Sequence, residues 1–377
     1  MGVKIILPNL IAKETAYRIT TNKSALFTGF IRSPYDNEFV GRNGSSVRIR
    51  VLGSLDAYFF EDGDEIVVQD WEDSSIELKV DKQIDVSVGL SQREATFDIE
   101  DFTKAVADES ARAISKKLED FNLRQAVKSL KNFLPLGDLD TSDKLIDINT
   151  FFDENEVDLE NRIALVSTEQ KSIILKKCKD VVETYKRGDN EAIKNAEVGF
   201  IYGSDYRYST VLNKIANAVV KGTYTSGATL AVKASKGVDT IYLTGGTPGE
   251  TISELTVLKA GSAYFVASEN VTIAAGGTAE IKVTSFRQEI AVGTEVEYAG
   301  VVNALVFDKN SFVFVTVAPA KTVGEDVTYM SEPKFGLGLS INWGYDIKTK
   351  KGIVSFSMFA GFLNVNSDLN AGVIAAA

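Results

Sequence analysis

Apolar and polar residues alternate strictly along Val47-Arg48-Ile49-Arg50-Val51, and again along Ile76-Glu77-Leu78-Lys79-Val80-Asp81 and Ile84-Asp85-Val86-Ser87-Val88. A period of two marks a strand with one buried face. Between these runs lie Glu61-Asp62-Gly63-Asp64-Glu65 and Asp70-Trp71-Glu72-Asp73. The simplest reading is one long antiparallel hairpin with an acidic tip. Such a ribbon is marginal alone in water, and the neighbouring sequence offers little to lie beneath it. Before it, apolar residues are scattered and turn signals recur at Ser33-Pro34-Tyr35-Asp36-Asn37 and Gly41-Arg42-Asn43-Gly44, which predicts an extended arm.

The period then lengthens. Phe102, Val106, Ile114, Leu118, Phe121, Val127, Leu130 and Leu134 recur at spacings near three and four, predicting a helix from Phe102 to Leu134 with one apolar stripe. Its other faces carry Lys116, Lys117, Glu119, Asp120, Arg124, Lys128 and Lys131, and Pro135 and Gly137 end it. A helix of roughly 50 Å outruns a compact interior and reads as a spine. Arg162 to Val166 follows as a buried strand. Ser167-Thr168-Glu169-Gln170 caps a helix reaching about Arg187, with Cys178 in its middle and Gly188 as its stop. Val198 to Gly203 reads as a strand and Val211 to Val220 as a short helix, which makes an α+β unit.

From Gly222 to Gly300 the texture changes. This stretch holds 11 of the 29 glycines, and short Thr/Val/Ala-rich runs at 228–232, 240–243, 271–273, 280–283 and 295–298 suggest a small β-barrel or sandwich. Strands return at 312–317, 338–343 and 353–359. The β-rich segment therefore interrupts an α+β domain.

Composition removes whole classes of chemistry. There is no histidine and one cysteine, Cys178. This excludes Ser-His-Asp and Cys-His machinery, His-bearing metal sites, internal disulfides and thiolate clusters. A formal charge of −11 argues against a dedicated nucleic-acid binder. No run approaches the ~20 apolar residues of a membrane span, the N-terminal apolar stretch is too short for a signal peptide, and Ile6 stands where myristoylation wants Ser or Thr. A reducing, intracellular folding site is the expectation.

The remaining candidates are weak. Asp138-Leu139-Asp140-Thr141-Ser142-Asp143 opens like a calcium loop, but Asp143 occupies the Gly position and Asn149 the position of the bidentate Glu. Gly245-Gly246-Thr247-Pro248-Gly249 and Gly276-Gly277-Thr278 lack the Gly-Lys-Thr/Ser of a phosphate loop, so they read as turns. Neighbouring lysines are placed to depress the Cys178 thiol, but no histidine base accompanies it. The acidic cluster 61–73 has no apolar surroundings to separate carboxyl pKa values. Trp71 within it suits either a partner's pocket or the base of its own arm. No catalytic residue, cofactor or metal is expected.

The element order resembles that of tailed-phage major capsid proteins of the Hong Kong 97-like fold: arm, extended loop, spine helix, axial domain, returning C-terminal strands. More narrowly, it resembles short-tailed-phage coat proteins with an inserted β-barrel. The segment from Asn303-Ala304-Leu305-Val306-Phe307-Asp308 to Phe312, then Gly338-Leu339-Ser340-Ile341, Gly344-Tyr345-Asp346-Ile347 and Ala360-Gly361-Phe362-Leu363, are similar to that group's segments after the insertion. The resemblance implies an arm at 1–45, an extended loop at 46–100, a spine helix and peripheral domain at 101–139, and an axial domain at 140–221 and 301–335. It also implies an inserted domain at 222–300 and C-terminal strands at 336–377.

The function it implies is a shell of hexamers and pentamers enclosing double-stranded DNA in the virion of a tailed bacteriophage, assembled in the bacterial cytoplasm. The implied partners are further copies of the chain, a separate scaffolding protein (only about 45 residues precede the first strand), a portal, an optional decoration protein and non-specific contact with packaged DNA. The candidate inter-subunit contacts are Asp64, Glu65, Asp70 and Trp71 at the tip, meeting Arg48, Arg50, Lys116 and Lys117 of a neighbour. The alternatives are a β-rich surface adhesin, which would want an aromatic-lined strand face beyond Tyr242, Tyr264 and Phe265, and a carboxylate-only hydrolase.

Overall fold

In the computed structural model the described residues are 26–31, 46–51, 74–91, 99–178, 198–219, 222–224, 226–283, 288–319, 326–332, 337–346 and 351–375. Within the expected arm a helical turn, α1 (Leu26–Phe30), is docked on the body, with Phe27 fully buried. Strand β1 (Ser46–Val51) pairs antiparallel with β2 (Ser74–Ser91), Ile49 opposite Ile76. The long second strand is not an unsupported ribbon. Its far half is zipped to β18 (Lys351–Asn364), with Ile84 opposite Met358. The missing support comes from the C-terminus, more than 250 residues away in sequence, where local pattern cannot find it.

A bulge in this pairing, between Ala360 and Gly361, changes which way β2 faces. One extra residue in a ladder reverses the side to which later residues point. The two alternating runs of β2, 76–81 and 84–88, therefore feed two cores. Leu78 and Val80 pack with Ile49, Val313 and Val315, whereas Ile84 and Val86 join Phe356, Met358 and the long helix. Gly361 allows this close approach, because a Cβ there would meet the Lys79 carbonyl oxygen at 2.6 Å. The sheet is completed by β17 (Leu337–Asp346), β16 (Asp326–Glu332) and β15 (Phe312–Val317).

The spine helix, α2, spans Ile99–Lys128 and stops before Leu134. The Ser129 hydroxyl donates to the Ala126 carbonyl, and the Asn132 amide donates to the carbonyls of Ser367 and Asn370. These bonds pull the chain into β3 (Phe133–Leu134), which pairs parallel with β19 (Asn370–Ala375). At 1.5 Å per residue, α2 is about 45 Å long. Glu119, expected on an exposed face, is buried at 1% exposure.

A second sheet forms the other half of the body. Strands β4 (Arg162–Ser167), β5 (Gly199–Ile201) and β6 (Ser204–Ser209) join β14 (Glu295–Asp308), β19 and β3 in the order β5-β6-β4-β14-β19-β3. On one face, α3 (Ser142–Glu154) and α4 (Thr168–Lys177) cover Ala164, Val166, Tyr206 and Val306. On the other, α5 (Thr210–Val219) and α2 cover Ile163, Leu165, Leu305 and Phe307. Coverage on both sides explains why β4 is buried throughout. Helix α4 is capped by the Ser167 hydroxyl, which accepts from the Gln170 N–H. It ends at Lys177, short of Arg187, so Cys178 is not mid-helix. It lies buried at the C-cap, where desolvation pushes its thiol pKa up.

The Gly-rich segment forms a closed ring. Strands β7 (Ala228–Leu230), β8 (Thr240–Thr244), β10 (Val257–Ala260), β11 (Ala263–Val266) and β13 (Ala279–Lys282) join the first half of β14 in the order β13-β8-β7-β14-β10-β11. An Ala267–Val283 bridge links the two ends. Its own core includes Leu230, Ile241, Leu243, Leu258, Phe265, Ile281 and Val296. A short pair, β9 (Thr251–Ile252) with β12 (Val271–Thr272), sits beside it. Position 300 is not a break in the chain path. β14 runs straight through it, pairing with β7 and β10 before Gly300 and with β4 and β19 after it.

Candidate functional site

Asp64, Glu65, Asp70 and Trp71 lie outside the described residues, as does the Arg50 side chain. Arg48 is exposed on β1 and directly opposite Glu77. Hydrogen bonds from Ser46 and Lys79 hold the Glu77 carboxyl below its usual range, and the Lys79 and Arg48 charges add to this. Because the bulge reverses β2, Arg48 and Glu77 point to the side of the sheet that carries α2 farther along. Lys116 and Lys117 are exposed on α2, so the described basic candidates share that side.

Lys117 is already engaged. It lies 3.5 Å from Asp120, Asp120 is 3.1 Å from Arg124, and Arg124 and Lys128 reach Glu254 of the ring at 3.6 and 2.5 Å. This ladder of charges runs along the helix and ends on the ring. Each pair is partly exposed and contributes only about 0–1 kcal/mol. The stronger attachment is Leu255, next to Glu254. It is buried in the body's core at 1% exposure with a left-handed φ of 68°. Sequence reasoning missed this anchor, because an isolated Leu in a loop announces nothing.

The other chemical candidates are structurally occupied. Asp138 accepts from the Gln170 amide, and Asp140 accepts from Lys144 and Lys177, which hold its carboxyl below the usual range. Asn149 accepts from Arg162. The Gly-rich turns bond to one another, Gly246 N–H donating to Gly277 and Gly249 N–H to Ile273. Phe265 belongs to the ring core, and Tyr242 is exposed. A cleft of about 480 Å³ where ring and body meet is lined by Glu169, Asn303, Tyr224 and Tyr298 among others. Tyr224 there donates to the Val296 carbonyl. Among the described residues no cluster of His, Cys, Asp or Glu is arranged to hold a metal ion, and no helix is long and apolar enough to cross a membrane.

No protein-family model matches the sequence, and no curated protein matches it. Solved structures do. A chain from Mycobacterium phage Che8 superposes with a TM-score of 0.50 over 93% of this chain and 90% of its own, at 10% identity. The fold is shared with a phage protein. The capsid structure of the cyanophage P-SCSP1u aligns at a TM-score of 0.48 and 12% identity, over 89% of this chain and 84% of that one. The capsid of an empty GTA particle aligns at 0.47 and 9%, over 94% and 91%. The α+β class expected from the sequence is the class of the structure.

Proposed function

We propose that this chain is the major capsid protein of a tailed bacteriophage, a structural protein that assembles with copies of itself into the icosahedral head. The observation that carries the proposal is the fold shared with the Mycobacterium phage Che8 chain over nine-tenths of both molecules. The order of elements supports it: the paired strands β1 and β2, a spine helix, a mixed sheet, and C-terminal strands returning to both sheets. In this reading 222–300 is an inserted domain and 46–100 the extended loop.

Hexamers and pentamers are the expected capsomers, with double-stranded DNA inside. A separate scaffolding protein and a portal are the expected assembly partners, and a decoration protein an optional one. The virion is the location. Chemistry favours a structural role: the chain has no histidine, and among the described residues Asp140 and Asp153 are held in ion pairs and the Cys178 thiol is buried. Closed symmetry lets one set of surface patches be used many times, so weak contacts sum.

Within that shell, the acidic tip bearing Asp64, Glu65 and Asp70 meets basic residues of a neighbouring subunit, Arg48 and Lys116 first among them. Lys117, tied to Asp120, ranks behind. Negative-stain electron microscopy of the protein expressed with and without its scaffolding partner tests the assembly itself. Closed shells are expected, and dispersed monomers under both conditions would refute it. The D64K/E65K double variant should leave the monomer folded by circular dichroism but yield no shells. Normal shells from it would remove the contact while leaving the capsid reading standing.

A further inference from the structure

The least expected side chain in the body is Glu119. It sits on α2 at 1% exposure, among the buried residues Ser115, Leu118, Asn122 and Leu123. What it holds is the N-terminal segment. Its Oε1 accepts from the Phe27 N–H at 2.9 Å, and its Oε2 accepts from the Thr28 N–H and the Thr28 hydroxyl, both at 2.9 Å. The Asn122 amide donates to the Thr28 hydroxyl at 3.1 Å, and among the described residues the buried Asn122 Oδ1 has no hydrogen-bond partner. Phe27, beside these bonds, stands edge-on to Phe307 and Phe312 with centroids 5.2 and 5.6 Å away.

A buried cluster with a carboxyl that can take up a proton and an acceptor lacking one is poised between two states. We propose that Glu119 is a proton-operated latch, holding residues 26–31 in the body when its carboxyl is protonated and loosening them when it ionises. The proposal goes beyond the capsid reading and does not depend on it.

The charged groups on the elements packed around Glu119 do not set its protonation. On α2 these are Lys116, Lys117 and Asp120, on β2 Lys79, Asp81, Lys82 and Asp85, on β18 Lys351, and on α5 Lys214. All are exposed or half-exposed, α1 carries none, and the buried Asp308 of β14, next to Phe307, accepts from the Asn310 N–H. Burial is the first cause of the shift. It raises the Glu119 carboxyl to about 7 against the opposing hydrogen bonds from Thr28 and Phe27. A carboxyl whose pKa is raised in the docked state favours docking at low pH, and that advantage is lost as pH climbs from its ordinary value through about 7. With an undocked carboxyl at its ordinary value of 4.5, the opening equilibrium should rise about 30-fold between pH 5.5 and 8.5.

Amide hydrogen exchange on the full chain tests this, each rate divided by the intrinsic rate at its pH. Protection of Phe27 and Thr28 should fall about 30-fold across that range, while amides of 163–166 in β4 stay unchanged. The E119Q variant, an uncharged stand-in for the protonated acid, should show a flat profile. Three results would each overturn the latch: pH-independent protection in the wild type, a slope that survives in E119Q, or a loss shared equally by β4, which would mean global rather than local opening.

Discussion

Replacing Leu255 by alanine and, separately, by glycine sets two opposing contributions against each other at one position. Leu255 is buried at 1% exposure in the body's core, although it belongs to a turn of the ring. Truncating a fully buried Leu to Ala costs about 2–5 kcal/mol. Its φ of 68° adds a second effect. A side chain with a Cβ pays about 1–2 kcal/mol in the left-handed region, and glycine does not. At an ordinary site glycine is less stable than alanine by about 0.5–1 kcal/mol. Here the order should invert: L255A should lose about 3 kcal/mol and L255G roughly 1 kcal/mol less than that. Urea denaturation followed by circular dichroism measures both, with an unchanged slope indicating the same unfolding reaction. If L255G proves less stable than L255A, the backbone is not held left-handed. If L255A loses under about 1 kcal/mol, Leu255 is not the residue that fastens the ring.

Gly300 sits at φ 128°, and a Cβ there would run into the Ala375 carbonyl oxygen, whereas Gly227 at φ 102° faces open space. G227A should therefore cost about 1 kcal/mol and G300A about 3 or more; equal losses in thermal melts would show that the close approach of β14 to β19 is unimportant. Arg162 donates to the Val157 carbonyl from two nitrogens, at 2.8 and 2.6 Å, and lies 2.6 Å from Asp153. R162M leaves that buried carbonyl without its donors and should cost about 2–4 kcal/mol. D153A, at a partner 59% exposed, should cost under about 1 kcal/mol. Equal urea midpoints for the two variants would locate the stabilisation in the ion pair rather than in the carbonyl.

Sequence pattern determined the elements whose cause is local. Alternation in 47–51, 76–81 and 84–88 marked β1 and β2, because one face of each strand segment is buried, and the apolar-rich run 353–359 marked β18. The threefold and fourfold spacing marked α2, and Ser167 marked the start of α4. The absence of histidine excluded the commonest catalytic chemistry outright. Even Glu119 left a trace, since Ser115, Glu119, Asn122 and Ala126 follow helical spacing beside the apolar stripe, and all four are buried. Only tertiary structure decided the rest. β2 found its second partner in β18, and a bulge turned its two alternating runs toward different cores. α2 ended early because Asn132 is claimed by carbonyls from the C-terminal turn, and the ring closed through a bridge between Ala267 and Val283. These choices rest on contacts between residues far apart along the chain. A periodic sequence states which face must be buried, but the partner that buries it is selected only when the distant segments meet.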